Sequence, residues 1–176
     1  MTLRGQLDFR PSKPNAIRRA VVRAAGTRYG AWWLARVLPQ FDRQLLALSG
    51  GRISLAELVA GTPLIALTTR GARTGVLRTA HLVGIPIADT IAVIGTNFAR
   101  SATPTWVHNL LADPSASVTY RRARIGVTAR EVAGTEYEQV FAAASLIYPV
   151  FGVYRARLGH RPPKVFILEP KAPTPS

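Results

Sequence analysis

The chain has 176 residues, 48% of them hydrophobic, enough for one domain with a sizeable core. It has no cysteine, which excludes disulfides, thiol nucleophiles and thiolate metal sites, and its three scattered histidines, His81, His108 and His160, argue against a metal centre. Lys and Arg number 23 against 9 Asp and Glu, a net charge of +14, so an anionic partner is expected: nucleic acid, an anionic membrane surface or a polyanionic small molecule.

Residues 1–14, with one Gly, two Pro and mixed charges, read as a loosely ordered leader without chemistry. Over residues 15–48 apolar positions recur at spacings of three and four (Ile17, Val21, Val22, Ala25, Tyr29, Trp32, Trp33, Val37, Leu38), with arginines between them, so this stretch is helical. Asn15 is the expected N-cap, and Gly26, Gly30 and Pro39 divide the stretch into two or three helices. Residues 1–61 hold ten bases and three acids, a net of 10 − 3 = +7. An interfacial helix on anionic lipid would have this Trp-and-Arg pattern, and so would a helix packed on the rest of the protein or on a partner subunit. A short helix at 55–59 follows Gly50-Gly51.

The remainder reads as a small β-barrel with inserted helices. Segments 64–69, 77–86 and 90–96 have strand character, the last two joined at Ala88-Asp89. Residues 104–112 form a short helix with Thr103 available as N-cap. A second hairpin, 117–121 and 124–132, turns at Arg122-Ala123. Thr135, with Glu138 three residues on, has the capping-box pattern for a helix reaching Tyr148; Pro149 kinks or restarts it, and a further helix runs to Leu158. Residues 164–169 form the closing strand, and the Pro-rich tail frays. The domain boundaries are therefore 1–61 for leader and arm, 62–170 for the barrel and 171–176 for a disordered tail. No apolar run is long enough for a spanning helix and the N-terminus lacks a secretory pattern, so a cytoplasmic location is expected, peripheral at the inner membrane face if the arm binds lipid.

The segment TTRGARTGVLRT, residues 68–79, packs Arg70, Arg73, Arg78, two glycines and four threonines into one strand-turn-strand unit. Such a turn can aim backbone N–H groups, hydroxyls and guanidinium forks at one anion, most simply a phosphate. It is not a Walker A loop, since Val76 follows Gly75, and GxGxxG is absent. A solvated basic hairpin turn is the alternative from these residues alone.

Together with GTNFARSATPTWVHNLLADPSASV at 95–118, LIYPVFGVYRAR at 146–157 and the late strand KVFILEP, that segment resembles the deazaflavin-dependent nitroreductase family. Members are split β-barrel oxidoreductases that use coenzyme F420, and the likeness runs over residues 15–170. It implies an α+β fold, an antiparallel split barrel of six to seven strands with an N-terminal helical arm. It implies further that Arg70, Arg73, Thr74, Gly75 and Arg78 hold the phosphate and glutamyl tail. Thr79, Leu82 and Val83 would then line the deazaflavin edge, with Gly95, Thr96 and Asn97 against the ring and Trp106 and Asn109 on the next helix. Tyr148, Phe151 and Tyr154 would form the substrate wall, with Trp32 of the arm closing over it, and Tyr148, Tyr154 or Thr96 would supply or orient the proton. The chain departs from many nitro-reducing members in having Asn97 in place of Lys and Phe151 in place of Tyr.

Hydride transfer needs no nucleophile, metal or paired carboxylates, in keeping with nine acids scattered along the sequence. The resemblance thus implies an F420H2-dependent reductase of a hydrophobic, electron-poor quinone, enone or nitro compound. The alternatives are a non-catalytic F420 or lipid carrier of the same fold and a reductase using FMN. No nucleic-acid module is visible, and pairing through the sheet would give a homodimer. Plain packing remains the alternative for Trp106, Asn109 and the Tyr148–Phe151–Tyr154 stripe.

Overall fold

The structure is a computed structural model that describes residues 2–9, 63–97, 102–148, 150–159 and 161–171. The expectations for the helical arm, Trp32 included, and for the tail beyond Lys171 fall outside these residues. Among them are α1 (Leu3–Gln6), β1 (Leu64–Arg70), β2 (Leu77–Val83), β3 (Ile85–Ile87), β4 (Thr90–Ile94), α2 (Thr105–Ala112), β5 (Ser115–Tyr120), β6 (Ala123–Val132), α3 (Gly134–Ile147), α4 (Val150–Arg157) and β7 (Val165–Pro170).

The strands form one seven-stranded sheet in the order β2-β1-β5-β6-β7-β4-β3. Pairing is antiparallel, with Leu67 opposite Val118, Val118 opposite Ile125, Ala129 opposite Leu168 and Val93 opposite Phe166. β2 and β3 lie at opposite edges of this order although only Gly84 separates them in sequence. The chain therefore crosses from one edge to the other in a single residue, which curls the sheet into a half-barrel. The single strand expected over 77–86 is thus two strands. At the corner a Cβ on Gly84 would lie 2.8 Å from Phe9 Cζ and 3.1 Å from Ile65 Cγ2, so only glycine fits.

Alternation with period two sorts the strand residues into two cores. Ile65, Leu67, Ile91, Val93, Val118, Val127, Phe166 and Leu168 fill the barrel interior with Trp106, Val107 and Leu110 of α2. On the other face of β4 and β7, Ala92, Ile94, Val165 and Ile167 pack with Val140, Phe141 and Ala144 of α3 and Phe151 of α4. β4 and β7 are buried on both faces, and their near-continuous apolar runs reflect it.

Five further expectations need correction. The leader is not loosely ordered over residues 2–9: Leu3, Leu7 and Phe9 are buried in the barrel core, Phe9 meets Tyr120 edge-to-face at 4.9 Å, and Arg4 Nη1 donates to Ala88 O. Thr103 does not cap α2. The cap position is Pro104, and Thr103 Oγ1 accepts a hydrogen bond from Arg161 Nη1. Nor does Thr135 open α3 with a capping box, because the helix begins at Gly134 behind Ala133 and Glu138 turns instead to Arg155. The second hairpin turns at Arg121, whose φ is 54°, one residue ahead of the expected place. At the end of β7, Lys171 N donates to Gly126 O, so pairing continues one residue into the segment read as tail.

Candidate functional site

The turn between β1 and β2 is held open by its own hydrogen bonds. Gly71 N donates to Val76 O, Gly75 N to Gly71 O, Val76 N to Thr74 Oγ1 and Arg70 Nη1 to Gly75 O. Gly75 has φ +68°, the left-handed region that glycine enters without strain. Ala72 N donates inward to Asn109 Oδ1 at 3.0 Å, and Asn109 Nδ2 donates to the buried Thr69 Oγ1 at 3.0 Å. Asn109 is only 2% exposed, so both polar ends of its amide brace the turn from α2. Among the described residues this leaves Arg73 N and Thr74 N, at the exposed tip, as the turn amides without a partner in the chain. Two successive outward N–H groups beside the exposed Arg70, Arg73 and Arg78 form a donor set that suits a phosphate or carboxylate. The chemistry of these residues therefore fits an anionic cofactor tail.

β2 leads away from this turn. Thr79 is exposed and shares a 2.8 Å hydrogen bond with Thr68, Leu82 packs on the barrel core and Val83 on the second core. From Leu77 to Val83 the strand covers about 20 Å at ~3.3 Å per residue. At the end of β4, Gly95 N donates to Lys164 O, and Thr96 is 7% exposed. Asn97 has φ 48°, and its Nδ2 donates to Ala102 O. Trp106 lies inside the barrel, edge-to-face with Phe166 at 5.9 Å.

The aromatic stripe is one unit. Tyr148 closes α3, where its N–H reaches Ala144 O, and Phe151 N reaches back to Tyr148 O. Phe151 is buried, with the half-buried Tyr148 and Tyr154 edge-on to it at 5.9 and 6.4 Å. Burial pushes the Tyr148 phenol up from its ordinary value. Tyr154 is pushed up to about 12, by burial first and by Tyr148 second. Val83, at the far end of β2, and the Tyr148–Phe151–Tyr154 unit pack on the same apolar cluster, the second core. The structure thus brings Arg70, Arg73, Thr74, Gly75, Arg78 and Asn109 together at one end of β2 and Val83, Tyr148, Phe151 and Tyr154 at the other. His81 and His108 are exposed.

Residues from further strands join the turn here. A shallow pocket of about 160 Å³ beside the turn is lined by Thr68, Arg70, Asp113, Ser115, Ser117 and Arg124. The Ser115 N–H holds the Asp113 carboxyl below its ordinary range, with Arg70 and Lys171 adding to the effect. These residues are spread from position 68 to 124, so only the β1–β5–β6 pairing gathers them.

The sequence profile of the F420H2-dependent quinone reductase family matches residues 40–170, most of the chain. The protein belongs to that family. F420H2-dependent quinone reductase Rv1261c of Mycobacterium tuberculosis (strain ATCC 25618 / H37Rv) is 31% identical over 84 residues, which are 48% of this chain and 56% of that protein. The chain thus spans about half the length of the curated relatives it matches. Among solved structures, F420-H2 dependent reductase FDR-A is 30% identical with a TM-score of 0.56, over 61% of this chain and 94% of its own. Another, described as a domain-swapped dimer, is 28% identical with a TM-score of 0.58, over 77% and 98%. These neighbours agree with the split-barrel reading of the sequence.

Proposed function

We propose that this protein is an F420H2-dependent oxidoreductase that passes a hydride to a hydrophobic, electron-poor acceptor, a quinone first, with enones and nitro compounds as further candidates. The supporting observation is the polarity of β2: a basic turn with two unpaired amides at one end and an apolar aromatic wall at the other, about 20 Å apart at ~3.3 Å per residue. That separation suits a long cofactor with an anionic tail and a planar, redox-active ring. When bound, the reduced deazaflavin supplies a two-electron hydride.

The chain's own residues divide the remaining work. Arg70, Arg73, Arg78 and the amides of Arg73 and Thr74 grip the tail, and Gly75 keeps side chains off its path. Leu82, Val83, Gly95, Thr96 and Asn97 border the ring, and Trp106 supports that region from inside the barrel. Asn109 holds the turn in shape. Tyr148, Phe151 and Tyr154 exclude water and receive the acceptor. With phenols raised by burial, Tyr148 and Tyr154 stay protonated at neutral pH and serve as hydrogen-bond donors to an acceptor oxygen. Phe151 offers no hydroxyl, which suits an apolar quinone ring better than a nitro group.

A homodimer is part of this reading, since a structural neighbour is described as a domain-swapped dimer. No helix among the described residues is long and apolar enough to cross a membrane. Surface association through the basic 15–48 segment is tested by sedimentation with anionic vesicles: loss on deleting residues 10–50 supports it, and unchanged sedimentation removes it. The reaction itself is tested by titrating the protein with F420, FMN and haem and then supplying F420H2 with menadione. Tight F420 binding and oxidation of F420H2 are expected. Tight FMN binding without a response to F420 would refute the reading, and F420 binding without turnover of any acceptor would replace it with a carrier.

A further inference from the structure

α4 has only eight residues and follows Pro149, which has no N–H to continue the hydrogen-bond ladder of α3. Isolated helices of this length are marginal, so its orientation must come from what it packs against. Phe151 and Leu158, seven residues apart, are both buried and seat the two ends of the helix. Apolar contacts are not directional, however, and two of them leave the helix free to roll about its own axis. Each such roll would carry Phe151 and Tyr154 together away from Tyr148 at the end of α3.

Arg155 supplies the missing direction. Its Nη1 and Nη2 donate to the two carboxylate oxygens of Glu138 on α3 at 2.7 and 2.6 Å, a bidentate fork. Its guanidinium also lies over two rings of the same helix, 5.6 Å from the Tyr137 centroid and 5.1 Å from that of Phe141. Those rings are tilted together at 4.8 Å, so the three α3 side chains form one prebuilt seat. A planar fork that both stacks and pairs fixes the orientation of a helix in a way that a point charge cannot.

We propose that Arg155 is a positioning residue: seated on Glu138, Tyr137 and Phe141, it locks the rotation of α4 and so sets the Phe151–Tyr154 wall against the acceptor. The inference rests on the reading of that wall as the acceptor site. Arg155 neighbours Tyr154 in sequence and lies four residues from Phe151 and three from Leu158, on the same face of the helix. Arg155 itself touches no acceptor.

The test compares Arg155→Ala, Arg155→Lys and Glu138→Gln with the native chain. It reads amide exchange across residues 150–158, exchange in β4 and β7 as a check on the barrel, and KM and kcat for menadione at saturating F420H2. Arg155→Ala is expected to speed α4 exchange about tenfold, as loss of an ion pair and two cation–π contacts implies, with β4 and β7 unchanged. KM should rise by a comparable factor with kcat nearly constant. Arg155→Lys keeps the charge but not the fork and should recover only part of the loss, with Glu138→Gln intermediate. Unchanged α4 exchange in Arg155→Ala, or full recovery by Lys, would overturn the rotational lock. Faster exchange with an unchanged KM would overturn instead the link to the acceptor, and with it the assignment of the wall.

Discussion

At the β1–β2 turn every side chain from Ala72 to Thr79 is exposed, whereas at the α3–α4 edge Phe141, Ala144, Phe151 and Leu158 are buried. The turn keeps its shape through hydrogen bonds, four within itself and one donated by Ala72 N to Asn109 Oδ1. The edge keeps its shape through ring contacts and one bidentate ion pair. Because the turn spends its polar groups, Arg70 Nη1 among them, on geometry and leaves two amides and the Arg73 and Arg78 side chains exposed, a ligand held there is held by charge. A ligand at the edge is held by shape and exclusion of water. The two ends of β2 should therefore fail in different ways when altered.

Phe151→Ala should have the largest effect and should appear as stability. Removing a buried Phe costs about 3 to 5 kcal/mol, measurable by urea denaturation, and the surviving folded protein should show a raised menadione KM. A loss under about 1 kcal/mol would mean that the edge is not packed as described. Arg78→Ala should leave stability alone and weaken F420 binding by on the order of 1.5 to 3 kcal/mol, the value of a charge-assisted hydrogen bond, with the native affinity falling as salt is added. Equal affinity in the mutant would take the tail out of the turn.

Asn109→Leu cuts across the comparison. It strands the buried Thr69 hydroxyl and the Ala72 N–H, costing about 1 to 3 kcal/mol of stability, and by loosening the turn it should also weaken F420 binding. Thermal denaturation and fluorescence titration read the two effects, and a cofactor loss without a stability loss would make Asn109 a direct contact. The smallest effect is that of pH. A phenol whose folded value is raised leaves the native state holding more protons than the unfolded chain, so stability falls as pH rises from about 10 toward the folded value of about 12. Tyr154→Phe should flatten that decline in alkaline denaturation curves.

Much of this division is legible in the sequence, and the gaps have physical causes. β4 and β7 announce themselves because both faces are buried and the runs 91–94 and 165–168 are wholly apolar. The turn announces itself through Gly71, Gly75 and three arginines within nine residues. The break at Gly84 does not, since the atoms that forbid a side chain there belong to Phe9, Ile65 and Ile91, set by the tertiary fold. Leu3, Leu7 and Phe9 hide for the same reason: their partners lie on strands far along the chain, and four or five polar neighbours mask the pattern. Thr103 and Thr135 carry capping chemistry but are outcompeted, Thr103 by Arg161 and Thr135 by a helix start at Gly134. Asn109 reaches Ala72 across 37 positions, so only the family resemblance pointed to it, and it carried no hint that the amide braces the turn. Arg155 reads as one more base on a basic chain until Glu138 and two rings of α3 are placed beneath it.

The central claim is that the turn reads the cofactor's tail while the far end of β2 serves its ring. The most direct test is a fluorescence titration of the native protein with F420 and with the deazaflavin chromophore lacking the phosphate and glutamyl tail, repeated on Arg73→Ala/Arg78→Ala. The native protein should bind F420 far more tightly than the tail-less chromophore, and the double variant should erase most of that gap while leaving the tail-less affinity in place. Equal native affinities for the two, or a gap that survives loss of both arginines, would contradict the account.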